Sequence, residues 1–468
     1  MDKEQMHQER RGFLKQFGAT VGAAGLGAAG LGTAAYVAGT GTANAAAQPK
    51  GNIPDKPIKV GHITFLTGPA ELLGGPGIRG HNLAAEEINA EGGLLGKRKI
   101  ETITADEAAG TDANVKELRR MKLSEKIDLF TGIISSGNTP ALGPVSEELK
   151  VLTLFNDGCT DFLFDKAVPN PKYTFRVTNI QSADGITAAI GAATHWPKAR
   201  RIASIQPDYS YGRNVFEHFV LALGKLKPGI EVVSESWPKL FSTDFTPHIT
   251  KILAAKPDLL IVGLWGGDYV AFYKQAARYG LFDKMKVATT LAFGGSPHAI
   301  GKDHPDGVLA GVHANYHFLY PSAERWPINK SFVERYLKRW KEYPSFEADG
   351  AYTSLYLYKQ AVEKANKLVG GWPDDEAIIA MLEGAGIDSP AGYVYIRADN
   401  HQGYKDAVTG LSKNLPGYDF PVWEANSIVS IPIRSITAPP NWPKPGQGHN
   451  ESTAAADWIK KTWPQAKA

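Results

Sequence analysis

The chain has 468 residues, with 51 basic against 48 acidic side chains and a formal net charge of +3. Its 43% hydrophobic and 21% charged content is that of a globular protein, and a nearly balanced charge without a long basic stripe excludes a nucleic-acid partner held through phosphates. The single cysteine, Cys159, excludes an intrachain disulfide, a cysteine-rich zinc centre and an iron–sulfur cluster.

Residues 1–47 follow the order of an export signal. Arg10, Arg11 and Lys15 precede a Gly/Ala/Leu/Val run over 18–38, and Ala43-Asn44-Ala45-Ala46-Ala47 offers an A-x-A-type site, so cleavage is expected near Ala45 to Ala47. The run Arg10-Arg11-Gly12-Phe13-Leu14-Lys15 resembles the twin-arginine motif, with Glu9 where Ser or Thr is usual. A membrane anchor is the rival reading; the glycine content and the small-residue site favour cleavage. The remainder, about 420 residues, holds no run near the roughly 20 consecutive apolar residues of a membrane span. A soluble periplasmic protein is expected. Cys159 is not placed after the signal as a lipid anchor requires.

From residue 57 the pattern alternates strand and helix. Ile58–Phe65 reads as a strand, Ile78–Glu91 as a helix, Lys99–Ala105 as a strand, and Asp112–Lys126 as a helix capped by Thr111 or Asp112. Asp128–Ile134, Pro140–Leu149 and Val151–Phe155 continue as strand, helix, strand. After a proline-containing break over Phe162–Lys172, Tyr173–Val177 is a short β run suited to crossing between lobes. The alternation restarts with strands Arg201–Gln206, Glu231–Ser236, Asp258–Leu264, Lys286–Leu291 and Val308–Val312. Helices Gly212–Leu226, Phe245–Ala255 and Gly267–Tyr279 lie among them, the last stopped by Gly280. Helices Lys330–Tyr343, Tyr352–Leu368 and Asp374–Glu383 follow, then β runs at Gly392–Arg397 and Ser427–Ile433. Such alternation predicts an α/β fold of two doubly wound, mainly parallel-sheet lobes with helices on both faces.

The motif Gly75-Pro76-Gly77-Ile78-Arg79-Gly80 matches a dinucleotide fingerprint, with Asp106 downstream, but eight residues from Thr67 to Gly74 separate it from the strand and Pro76 removes an amide donor. It reads as a flexible loop capping a helix, and no cofactor is expected. Nucleophile-elbow and phosphate-loop motifs are absent, which argues against an enzyme. Cys159 paired with a histidine is formally a nucleophile; a small buried core thiol is the better reading. His313 and His317 are four apart, yet Gly311–Phe318 reads as a strand without a nearby acid, so no metal is assigned to them. Asp374 and Asp375 sit at a helix start, where capping explains them.

Polar and aromatic residues gather at strand ends, where ligands bind in open α/β sheets: Ser135 and Ser136, Asn156 and Asp157, Tyr209 and Tyr211, and Trp265.

Thr67-Gly68-Pro69, followed by the run from Asn82 to Lys97 with its core Glu87-Ile88-Asn89-Ala90-Glu91-Gly92-Gly93, resembles the opening of branched-chain amino-acid-type solute-binding proteins of ABC importers. The runs Asp208–Arg213 and Lys274–Gly280 are similar to the second lobe of that family, and Arg397–Gln402 to its late R-x-x-D-H-Q signature. The resemblance spans roughly residues 57–435. It implies two lobes joined by three crossing strands, with 57–174 and 315–390 in one, 175–314 and 391–436 in the other, and 437–468 as a proline-rich tail. It further implies that Ser136 holds a ligand carboxylate, that Asp157, Gly158 and Cys159 form the next contacting loop, and that Tyr211 and Trp265 are aromatic contacts from the second lobe. The stretch Leu291-Ala292-Phe293-Gly294 lacks the acid that amino-acid binders often carry for the ammonium, which leaves an amino acid and an aromatic acid both open. The implied function is capture of a small carboxylate-bearing solute by a monomer and delivery to a membrane permease. A periplasmic sensor is the alternative, and a secreted hydrolase or nicotinamide enzyme a remoter one.

Overall fold

Strands that read as unbroken apolar runs are those covered on both faces. In the computed structural model, which describes residues 49–311, 313, 316–440, 442–443 and 451–464, the strands Leu129–Gly132, Leu152–Phe155 and Leu259–Val262 are buried at every position. The export signal read over 1–47 lies outside the described residues.

The first sheet comprises β1 (Ile58–Thr64), β2 (Ile100–Asp106), β3 (Leu129–Gly132), β4 (Leu152–Phe155) and β5 (Thr174–Arg176). Its order is β2-β1-β3-β4-β5 and every pair is parallel. The second uses β6 (Arg201–Ile205), β7 (Glu231–Ser236), β8 (Leu259–Val262), β9 (Lys286–Thr289) and β10 (Leu309–Gly311). A small antiparallel sheet follows, of β11 (Gly386–Ser389), β12 (Gly392–Ile396) and β13 (Gly403–Tyr404). The chain then returns to the second sheet as β14 (Ala407–Lys413), β15 (Val422–Trp423) and β16 (Val429–Ile431). That sheet runs β15-β14-β10-β9-β8-β6-β7, parallel from β7 to β10 with an antiparallel edge beyond. The α/β fold class expected from the alternation is the one observed.

The chain passes between the two large sheets after β5, after β10 and before β14. The first and third passages are fastened together by Arg176, whose Nε donates to Gln402 Oε1 at 2.8 Å, and by His401, whose ring stacks on Phe175 at 3.9 Å. The late motif from Arg397 to Gln402 is therefore a clasp on the first passage. Asp374 caps its helix as expected, accepting from Ala377 N at 2.9 Å.

Several expectations are corrected. The Gly75–Gly80 motif is not a loop: it lies inside the helix Glu71–Ala90. Its glycines serve close packing, since a Cβ on Gly80 would stand 2.2 Å from Ala348 O on the long helix Phe346–Val369. Asp106 instead ties down the loop after β1, accepting from Leu66 N at 3.0 Å and Thr67 Oγ1 at 2.5 Å. Thr111 is the first helical residue after Gly110, and its hydroxyl donates to Asn138 Oδ1 at 2.7 Å rather than capping. The strand read over Gly311–Phe318 stops at Gly311. The helix Gln181–His195 had no counterpart in the sequence reading, because eleven of its residues are buried and no polar face marks its period. Beyond the proline-rich stretch, helix Ala454–Lys461 buries Trp458 against the second sheet's core, and His218 Nε2 meets Thr453 Oγ1 at 2.8 Å. No described helix is long and apolar enough to cross a membrane.

Candidate functional site

The strand order reverses between β1 and β3 in the first sheet and between β6 and β8 in the second. Ligand crevices in open α/β sheets form at such points, outside the carboxyl ends of the strands. Here the loops leaving β1 and β8 touch. Gly267 N donates to Pro69 O at 2.8 Å, and a Cβ on Gly267 would lie 2.7 Å from Pro69 Cβ, so only glycine permits this approach. The Phe65 ring stands 6.3 Å from Trp265 and 6.2 Å from Phe241, and those two are 5.7 Å apart edge to face. An aromatic trio thus spans the two sheets, and the described conformation is closed.

The predicted residues are distributed as follows. Ser136 follows β3, and its Oγ lies 3.6 Å from Cys159 Sγ on the loop after β4. Ser135 donates its backbone N–H to Glu107 Oε1 at 2.8 Å. Trp265 Nε1 donates to Tyr209 OH at 3.1 Å, the Tyr209 and Tyr211 rings are 6.3 Å apart, and Tyr211 OH donates to Thr290 Oγ1 at 2.9 Å. Burial, reinforced by the neighbouring Cys159, pushes the hydroxyl pKa of Tyr209 well above its ordinary value; burial and the nearby Asp184 do the same for Tyr211. Side chains from both sheets therefore meet in one cluster, with Ser136, Tyr211 and Trp265 buried and Tyr209 half-buried. Asn156 instead belongs to the seam with helix Phe346–Val369, where Ser354 Oγ donates to its Oδ1 at 2.8 Å. Asp157 points to His313: Asp157 Oδ1 and His313 Nε2 are 3.1 Å apart.

His313 is the centre of a buried charge cluster. Its Nδ1 lies 2.9 Å from Asp184 Oδ2 on helix Gln181–His195, and His313 is fully buried. Burial disfavours the imidazolium, but Asp184 and Asp157 outweigh that and hold the His313 pKa well above its usual range. Burial pushes Glu347 well above the usual carboxylate range, and the Asp157 charge beside it adds to the effect. Burial raises Glu107 to about 7 and the Cys159 thiol to about 11. The expectation that no acid lies near the histidine pair is thus overturned for His313. His317 has other partners, stacking on Trp423 at 4.7 Å and Phe293 at 5.8 Å.

Five residues escaped the sequence reading as site members: Glu107, Arg176, Asp184, His313 and Glu347. Glu107 had a usable signal, since it directly follows β2 just as Asn156 directly follows β4. Arg176 sits in the first passage, where its Nη1 donates to Gly158 O at 2.7 Å and Thr160 O at 2.8 Å and so braces the Cys159 loop. A surface hollow lined by Tyr320, Tyr393, Tyr395, Lys405 and Arg434 shares no residue with these loops.

Comparison with known proteins places this geometry. A family model described as periplasmic binding protein matches residues 57–410. The chain is 26% identical over 388 residues to a Leu/Ile/Val-binding protein homolog of Brucella suis, covering 80% of this chain and 91% of that one. It is 28% identical over 357 residues to a second such homolog, of Brucella melitensis, covering 74% and 82%. Among solved structures, a solute-binding protein of an ABC transporter from Rhodopseudomonas palustris BisB5, in complex with 3,4-dihydroxybenzoic acid, superposes with a TM-score of 0.69 at 24% identity, covering 81% of this chain and 98% of that one. An ABC-type branched-chain amino acid transporter protein from Rhodopseudomonas palustris CGA009 gives 0.62 at 25% identity, covering 82% and 99%. Two sheets meeting at their switch points, together with a family match running from β1 into β14, show that the chain belongs to the periplasmic binding protein family.

Proposed function

We propose that this chain is an exported solute-binding protein of an ABC importer. Its two sheets act as lobes that close on a small carboxylate-bearing solute and deliver it to the membrane permease. The observation that carries this is the convergence of strand-end loops from both sheets on one set of aromatic and polar groups, with Ser136, Tyr211 and Trp265 buried and Tyr209 half-buried among them. A solute there touches both lobes only when the cleft is shut, so binding favours the closed state by its differential affinity. Ser136 and the loop amides would orient the carboxylate, and the aromatic trio would desolvate the body of the solute.

Two solute classes fit. The trio of Phe65, Phe241 and Trp265 favours an aromatic acid, the class bound by the 3,4-dihydroxybenzoate, benzoate and 4-hydroxybenzoate complexes among the structural neighbours. The buried carboxylate of Asp157 favours an amino acid instead, since it could receive an ammonium. Titration of tryptophan fluorescence with benzoate, 4-hydroxybenzoate and leucine separates them. Saturable quenching by the benzoates is expected; saturation by leucine alone supports the amino-acid reading, and no response to any of them counts against solute binding of either class.

Export is proposed to use the twin-arginine route, with cleavage near Ala45 to Ala47 and a monomeric mature protein in the periplasm. Arg10→Lys combined with Arg11→Lys is expected to leave the precursor in the cytoplasm. Fractionation followed by immunoblotting checks this, and normal export of the double variant would point to the general secretory route.

A further inference from the structure

The cluster at the base of the cleft has the makings of a metal centre. Asp157, Cys159 and His313 are all buried, and one donor atom from each lies within 4.8 Å of the other two. In a tetrahedral zinc site the ligand atoms stand about 3–4 Å apart, given metal–ligand distances of about 2.0–2.3 Å. The Asp157 Oδ1 to His313 Nε2 separation is already 3.1 Å, so a shift of about 1 Å at most would complete the set. We propose that Asp157 Oδ1, Cys159 Sγ and His313 Nε2 bind one borderline-soft transition-metal dication such as zinc.

The surroundings support this independently of the three ligands. The second nitrogen of His313, Nδ1, lies 3.0 Å from Asp184 Oδ1 and 2.9 Å from Oδ2. A carboxylate behind the imidazole fixes the tautomer that leaves Nε2 facing the ion, an arrangement metal-ligating histidines use almost always. Glu347, 2% exposed, borders the set and hydrogen-bonds the Asp157 carboxyl.

The donor chemistry also selects the ion. A thiolate and an imidazole suit zinc, cobalt or nickel and disfavour calcium and magnesium, which take oxygen ligands. Three protein donors leave one tetrahedral position for a solvent or solute atom. On binding, the Cys159 thiol proton and any Nε2 proton of His313 leave to solvent, while Asp184 keeps the Nδ1 proton. Asp157 and Cys159 belong to the loop after β4 and His313 to the second passage, so the ion would fasten the first sheet to the hinge.

The test uses the mature chain, stripped with a chelator and titrated with Zn2+ by calorimetry and with Co2+ by absorption. The expected result is one ion per chain and a thiolate-to-cobalt charge-transfer band. Cys159→Ser should abolish the band and His313→Gln should weaken uptake about tenfold or more, whereas Asp184→Asn should weaken it by about 10- to 100-fold with the band retained. His317→Gln should match the wild type. Circular dichroism shows whether each variant folds; if one does not, the stoichiometry and band of the wild type decide alone. Absence of one-to-one uptake, a cobalt spectrum without the thiolate band, or undiminished binding in folded Cys159→Ser overturns the proposal. Solute binding is measured on the stripped chain, so failure of either reading leaves the other standing.

Discussion

Trp265→Ala is expected to weaken solute binding about thirtyfold or more, a loss of about 2 kcal/mol, which isothermal titration calorimetry would read directly. The indole is 3% exposed and joins three functions in one side chain. It packs edge to face on Phe241 within the second lobe, reaches Phe65 in the first, and donates Nε1–H to Tyr209 OH. In the proposed closing motion the contact with Phe65 is made only while the lobes are shut. Truncation therefore removes contact area from the closed, solute-bearing state more than from an open one, and it leaves Tyr209 without its indole partner. The unfolding midpoint of the solute-free variant should fall less than its affinity. Equal affinity in variant and wild type would remove Trp265 from the pocket.

The largest loss of stability is expected from Lys405→Met. Lys405 Nζ and Asp349 Oδ2 form an ion pair at 2.6 Å, with side chains 2% and 0% exposed. Asp349 Oδ1 accepts from Ala391 N at 3.2 Å, so this carboxylate joins the long helix Phe346–Val369, the small antiparallel sheet and the third passage between lobes. Replacing the ammonium by an isosteric thioether leaves the carboxylate buried without its counter-charge. Breaking one side of such a pair costs about 3–5 kcal/mol, whereas replacing both partners by apolar groups is often nearly neutral. Urea unfolding should show the midpoint drop in Lys405→Met and recover much of it in Lys405→Met with Asp349→Leu. A single variant as stable as the wild type would show that the pair contributes little.

The parts of the fold legible in the sequence are those whose local pattern has one interpretation. Leu152–Phe155 and Leu259–Val262 are short, apolar and bounded by polar turns, and they are strands buried on both faces. Helix Gln181–His195 carried no such mark, because alanine, glycine and threonine on a helix buried nearly all round give no amphipathic stripe. The first turns of helix Glu71–Ala90 were hidden by glycines and Pro76, whose reason is tertiary: the closeness of Ala348, distant in sequence. The site shows the same division. Ser135, Ser136, Asp157, Tyr209, Tyr211 and Trp265 were proposed from the strand-end rule, which is a property of topology. Asp184 and Glu347 were not, because a charged residue in a single sequence reads as solvent-facing, and His313 was set aside because its stretch read as a strand without a nearby acid. Only the fold brings His313 to Asp184 across 129 positions, and only that pairing makes their burial tolerable.

In the proposed function the two lobes close on a small organic acid. Native mass spectrometry of the mature chain, purified without refolding and then exposed to amino and aromatic acids, tests it most directly. A one-to-one adduct of a small carboxylate, weakened in Trp265→Ala, is expected. A chain that stays bare across the whole panel would contradict it.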